Sequence, residues 1–140
     1  MNHVPELVKL EKVCFPRPWT EREFELCFRQ GHFHAKGIFR HERMIAYITF
    51  FTLVDEIEIV NLAVHEDHRR KGLGTSLLGA LLAHGREHGC TRIVLEVRRS
   101  NMAARHLYTH HGFKIVGERK GYYPPSGEDA LVMARSCPNA

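Results

Sequence analysis

Cysteine is sparse in this 140-residue chain, and Cys14, Cys27, Cys90 and Cys137 form no Cys-x-x-Cys pair. That excludes zinc-finger spacing and reads the thiols as small buried hydrophobes or bystanders in a reducing compartment. Long apolar runs are missing as well. The segment Met1-Asn2-His3-Val4-Pro5-Glu6 meets a charge within its first residues. No stretch approaches the roughly 18 apolar residues that a membrane span needs. These absences predict a cytoplasmic protein, neither secreted nor inserted in a membrane. No aromatic-and-basic RNA-recognition motif occurs, so no direct nucleic-acid binding is expected. Repeats, low-complexity runs and linkers are absent too, and the length suits one domain spanning residues 1–140.

What is present is an ordinary globular balance, 44% hydrophobic and 26% charged. A chain of this length buries roughly two-thirds of its unfolded surface and needs no disulfide or metal staple. The formal charge of +4 suits a solvated surface, an anionic cofactor or a ribosome-associated partner.

Hydrophobic spacing divides the chain into elements. Leu7, Leu10, Val13 and Cys14 predict a helix over 5–15, which the prolines of Phe15-Pro16-Arg17-Pro18-Trp19 stop. Thr20 and Glu23 have capping-box spacing for a second helix ending at Gly31. Residues 35–40, 44–53 and 57–64 read as antiparallel strands joined by short polar turns. Leucines at 77, 78, 81 and 82 mark a helix over 73–87, followed by a strand over 92–97 and a helix over 101–110. Two strands, 113–118 and 130–134, close the pattern. The order implies a mixed α/β (α+β) domain of three layers, its sheet flanked by helices. The unit from Ile57 to Val97 is expected to be a right-handed crossover with parallel strands.

The most informative stretch is Leu62-Ala63-Val64-His65-Glu66-Asp67-His68-Arg69-Arg70-Lys71-Gly72-Leu73-Gly74-Thr75. It leaves a strand, makes a basic turn and enters a helix at two glycines. N–H groups at a helix start lack partners, and the helix dipole adds positive charge there. Glycine lets a phosphate approach the main chain closely, so the turn is an anion cradle. A Walker loop is excluded by spacing, and a Rossmann turn is excluded because Leu77 stands where its third glycine or alanine belongs.

The Arg69-x-x-Gly72-x-Gly74 spacing resembles the pyrophosphate-binding motif of the GNAT superfamily of acetyltransferases. Leu95-Glu96-Val97-Arg98, Ser100-Asn101, Ala103-Ala104, Leu107-Tyr108, Gly112-Phe113, Gly121-Tyr122-Tyr123-Pro124 and residues 128–133 resemble its RimI branch. That branch acetylates the N-terminal alanine of a small-subunit ribosomal protein. Phe15 to Thr20 is similar to its Phe-Pro-Trp-Ser/Thr, with Arg17-Pro18 inserted where the acceptor peptide enters. The resemblance implies a GNAT fold, a mostly antiparallel sheet with one splayed parallel pair. It implies acetyl-CoA as cosubstrate, with no metal, and a ribosomal protein's N-terminus as acceptor. It makes Glu96 the proton acceptor and Tyr108 the proton donor. Its acetyl-CoA contacts fall on Leu62, Ala63, Val64, Arg70, Lys71, Gly72, Leu73, Gly74, Thr75 and Asn101.

Chemistry asks for such groups. An α-amine of pKa about 7.7–8.0 is mostly protonated at neutral pH, so a carboxylate must take its proton as it attacks. Glu96 alternates with Ile93, Leu95 and Val97, which point to the other strand face. A phenol can protonate the departing thiolate, although Tyr108 sits on a helix that must also pack. A main-chain N–H near Val64, exposed where the parallel strands part, can meet the thioester oxygen. Pantetheine would lie along 62–64 like an added strand.

Other features read more plainly. The pairs His84/His88 and His106/His110 lack a carboxylate or cysteine at ligand spacing and are expected on solvated helix faces. Tyr122-Tyr123-Pro124-Pro125 is either an acceptor clamp or a rigid hairpin loop, and Trp19, Phe33 and Phe39 are expected in the core. Two alternatives stay open: an acceptor that is a lysine side chain or a small amine, and a non-catalytic coenzyme-A sensor.

Overall fold

A computed structural model describes residues 3–137. Helices α1 (Val4–Cys14) and α2 (Glu21–Arg29) precede strands β1 (Phe33–Arg40), β2 (Arg43–Leu53) and β3 (Glu56–Val64). After a single 3-10 turn, Glu66–His68, come α3 (Leu73–Glu87), β4 (Arg92–Arg98), α4 (Met102–His110), β5 (Lys114–Tyr123) and β6 (Glu128–Ser136). The capping box closes as its spacing requires. Glu23 N–H donates to Thr20 Oγ1 (3.2 Å), and Thr20 N–H donates to Glu23 Oε1 (3.0 Å).

The six strands form one sheet in the order β1-β2-β3-β4-β6-β5. Every neighbouring pair is antiparallel except β3 and β4. Two apolar clusters explain the layering. Leu77, Leu78 and Leu81 of α3, with Tyr108 of α4, pack on Ala46, Ile48, Phe50, Ile93, Leu95 and Met133. Val4, Leu7 and Leu10 of α1, with Phe24 of α2, pack on Phe33, Tyr47 and Ala63. Strand β2 is thus covered on both faces, and Ile45 through Phe50 are all buried. Each fully buried leucine on α3 contributes roughly 1.5–3 kcal/mol by leaving water.

Three expectations change. The β5–β6 hairpin is longer than its apolar pattern, because β6 pairs with β4 and carries the polar end of β5 along with it. Phe39 is 40% exposed on an edge strand, whereas Phe33 is buried and Trp19 half-buried. Finally, His84 is wedged rather than solvated. Its ring stacks on His88 with centroids 4.2 Å apart, lies 5.0 Å from His34, and has a buried Nε2 without a partner. His106 and His110 are exposed.

Candidate active site

The site begins where two strands part. β3 and β4 pair only from Glu56↔Arg92 to Ile59↔Leu95, while β3 continues along β2 as far as Ala46↔Val64. His65 N–H donates to Ile45 O at 2.8 Å, which marks Ala46↔Val64 as a non-hydrogen-bonded antiparallel pair. The main-chain groups of Val64 therefore turn away from β2. By alternation, those of Leu62 do the same. The Val64 carbonyl accepts from Arg69 Nε (3.0 Å) and from the Cys14 thiol (3.7 Å). A short length of β3 edge is left open inside the sheet.

Next to that edge lies the glycine turn. Gly72 caps α3 in the left-handed region, φ 77°, and Arg70 is left-handed too at φ 65°. No side chain caps the helix, and the first N–H to find its acceptor is Ser76, on Gly72 O at 3.0 Å. The N–H groups of Leu73, Gly74 and Thr75 precede it and have no acceptor within the helix. Gly74 answers a packing need, since a Cβ there would stand 3.0 Å from Leu107 Cδ2 of α4. Thr75 Oγ1 lies 3.2 Å from His111 Nε2, and Asn101 Oδ1 caps α4 by accepting from Ala104 N–H.

A cleft of about 1090 Å³ joins these parts. Its walls bring together Leu62, Ala63, Val64, Arg70, Gly72, Leu73, Gly74, Thr75, Asn101 and Tyr108. Lys71 and Glu96 do not line it. The turn, the β3 edge and the free amides fit an elongated ligand with a diphosphate at one end.

Tyr108 and Glu96 occupy opposite faces of the sheet. Tyr108 packs edge-on against Phe113 in the α3/α4 core, where burial holds its phenol well above the usual tyrosine range. No hydrogen bond engages its hydroxyl among the described residues. Glu96 alternates with the buried Ile93, Leu95 and Val97 and so faces the α1/α2 side. There its Oε1 meets Arg119 Nε at 3.3 Å. The Glu96 carboxylate is the main cause of a raised Tyr122 phenol. Burial, then the same carboxylate, raises Tyr123. Arg98 stacks over the Tyr123 ring at 4.0 Å and pairs with Glu128 at 3.3 Å. Both tyrosines end β5, ahead of the turn that Pro124 and Pro125 enter.

A buried polar cluster escaped the sequence reading. Glu11 is fully buried. Its Oε1 accepts from Tyr47 Oη and from Asn61 Nδ2 (2.8 Å), and its Oε2 accepts from Trp19 N–H (2.8 Å). The signal was a carboxylate four residues after Leu7 on the apolar stripe of α1. Arg119 left no such trace. Among the described residues no group of three or more metal-ligating side chains occurs, and no helix is long and apolar enough to cross a membrane.

Residues 4–113 match the acetyltransferase (GNAT) family. The ribosomal protein bS18-alanine N-acetyltransferase of Escherichia coli strain K12 is 34% identical over 134 residues, covering 94% of this chain and 89% of that protein. An enzyme of the same name from Haemophilus ducreyi is 40% identical over 132 residues, covering 91% and 90%. The crystal structure of the ribosomal-protein-S18-alanine N-acetyltransferase from Escherichia coli superposes with a TM-score of 0.89 at 32% identity, over 98% of this chain and 89% of that one. A match that runs from the first helix past the fourth, together with these relatives, shows that the chain belongs to the GNAT family of acetyltransferases.

Proposed function

We propose that the protein transfers an acetyl group from acetyl-CoA to the N-terminal α-amine of a protein, with the N-terminal alanine of a ribosomal protein as acceptor. The observation that carries this reading is the cleft shared by the open β3 edge, the uncapped start of α3 and Tyr108. The chemical names of the relatives give the acceptor. Acetyl-CoA, when bound, supplies the activated acyl carbon.

The amides of Leu73, Gly74 and Thr75, with Arg70, hold the diphosphate, and Lys71 adds positive charge from outside the wall. Leu62 and Val64 bind pantetheine through main-chain groups, as a sheet edge binds a peptide, while Ala63 and Asn101 shape the wall. The Val64 N–H faces the gap and stabilises negative charge on the thioester oxygen. From the opposite face, Glu96 takes the proton of the incoming amine at a carboxylate oxygen, directly or through a water. Tyr108 stays neutral and gives its Oη proton to the departing thiolate. Holding both reactants across one gap supplies much of the rate. The reaction takes place in the cytoplasm, where acceptor N-termini emerge.

Intact-mass analysis tests this. An alanine-started peptide incubated with protein and acetyl-CoA gains one acetyl group, and the same peptide with a blocked N-terminus and a free lysine gains none. Lysine acetylation alone would overturn the acceptor assignment.

A further inference from the structure

The mouth of the strand gap carries two polar side chains on the α1/α2 face, and the mechanism above uses one of them. Leu95 and Ile59 are the last paired residues of β4 and β3. Glu96 stands one residue beyond Leu95 and Asn61 two beyond Ile59, after the irregularity in the β2–β3 register. Asn61 reaches Glu11 of α1 and so shares the face of Glu96. The two residues border the gap between β3 and β4 on that face.

The amide of Asn61 is held in one orientation. Its NH2 group, and not its oxygen, faces α1 and donates to Glu11 Oε1. Glu11 also accepts from the Trp19 N–H, which can only donate, and from Tyr47 Oη. With Nδ2 committed at 2.8 Å, Oδ1 is left with no donor among the described residues. Asn61 is half-buried, so that oxygen is not sealed away from an arriving ligand.

We propose that Asn61 Oδ1 binds the acceptor's α-ammonium group opposite Glu96, and that Glu11 is the positioning residue that holds the oxygen outward. This rests on the acetyl-transfer reading given above. An α-ammonium has three hydrogens. Glu96 removes one, and an amide oxygen accepts a second without taking it, which fixes the direction of the lone pair that attacks. The same carboxylate tethers Trp19 and with it the α1–α2 loop, so one buried group sets both the orienting oxygen and the wall beside it.

Steady-state kinetics on an alanine-started peptide test the assignment. Asn61→Ala raises the acceptor KM about tenfold or more, the usual effect of losing a hydrogen bond to a charged group, and leaves the acetyl-CoA KM unchanged. Glu11→Gln keeps one acceptor oxygen but adds a donor, and raises the acceptor KM by a smaller factor. A merely structural role would move both KM values together. Unchanged acceptor KM and kcat in a folded Asn61→Ala, or parallel rises in both KM values, would overturn the proposal. Should that variant fail to fold, the 15N resonance of the Asn61 side-chain amide in the native protein decides. It shifts on saturation with peptide if the proposal holds, and an unmoved signal refutes it. Absence of turnover by the native protein on every free N-terminus would refute the functional reading instead.

Discussion

Arg119 Nε reaches across β6 from the edge strand and sits 3.3 Å from Glu96 Oε1. Both side chains are partly solvated, at 58% and 26% exposure, so the pair is worth less than about 1 kcal/mol and an incoming ammonium can displace it. The carboxylate is therefore reachable by an incoming amine. Glu96→Gln lowers turnover by about 10²-fold or more, with coenzyme binding unaltered by calorimetry. An undiminished rate would remove Glu96 from proton transfer. Arg119→Ala shifts stability by under about 1 kcal/mol in denaturant melts.

Tyr108→Phe keeps the ring against Phe113 and strands no protein partner, so its stability stays within about 1 kcal/mol of the parent. Turnover falls by about 10²-fold. Because burial raises the phenol, its protonated form persists to higher pH than that of a free tyrosine. The pH–rate profile consequently climbs through the amine's range of about 7.7–8.0 and shows no falling limb below about pH 10. A decline centred under pH 9 would mean that another group donates the proton.

At Gly72 a methyl group would meet nothing within 4 Å, yet φ is 77°. Gly72→Ala thus tests backbone conformation free of collision. It costs about 1–2 kcal/mol in thermal or chemical melts and weakens coenzyme A binding, because the relaxing turn re-aims the three amides. Equal affinity in calorimetry would detach the turn from the diphosphate.

Acid destabilises the protein through His84. Burial is the main cause that lowers its pKa to about 4, and His88, His34 and Lys36 add to it. The folded value lies below the unfolded value of about 6.5, so the unfolded chain binds more protons between the two. Stability is whole above pH 6.5 and is lost as pH falls toward 4. His84→Leu raises the melting temperature more at pH 5 than at pH 7.5. Equal gains at both values would show that the ring does not titrate in this window.

What the sequence disclosed depended on how local each feature is. Helix α3 matches its expected span, 73–87, because four leucines and a following glycine lie within one stretch. The turn was visible for the same reason, although what the structure shows of Gly74 is a need of α4 packing that the sequence did not announce. The hairpin was underestimated because Arg119 and Lys120 interrupt its apolar pattern, and strand length there is decided by β6. Glu11 was hidden because its partners Tyr47 and Asn61 are 36 and 50 residues away, a distance that periodicity cannot bridge. The facing of Glu96 followed from alternation, whereas its ion pair required the edge strand to be in place.

β6 lies between β4 and β5, and β5 has no other neighbour in the sheet. During synthesis the emerging chain can dock its first four strands early, but β5 has nothing to zip onto until residues 128–136 leave the exit tunnel. Tyr122 and Tyr123 are on that waiting strand, and Arg119 is too. A nascent chain halted before Glu128 would carry the glycine turn and the open β3 edge with no finished wall beside Glu96.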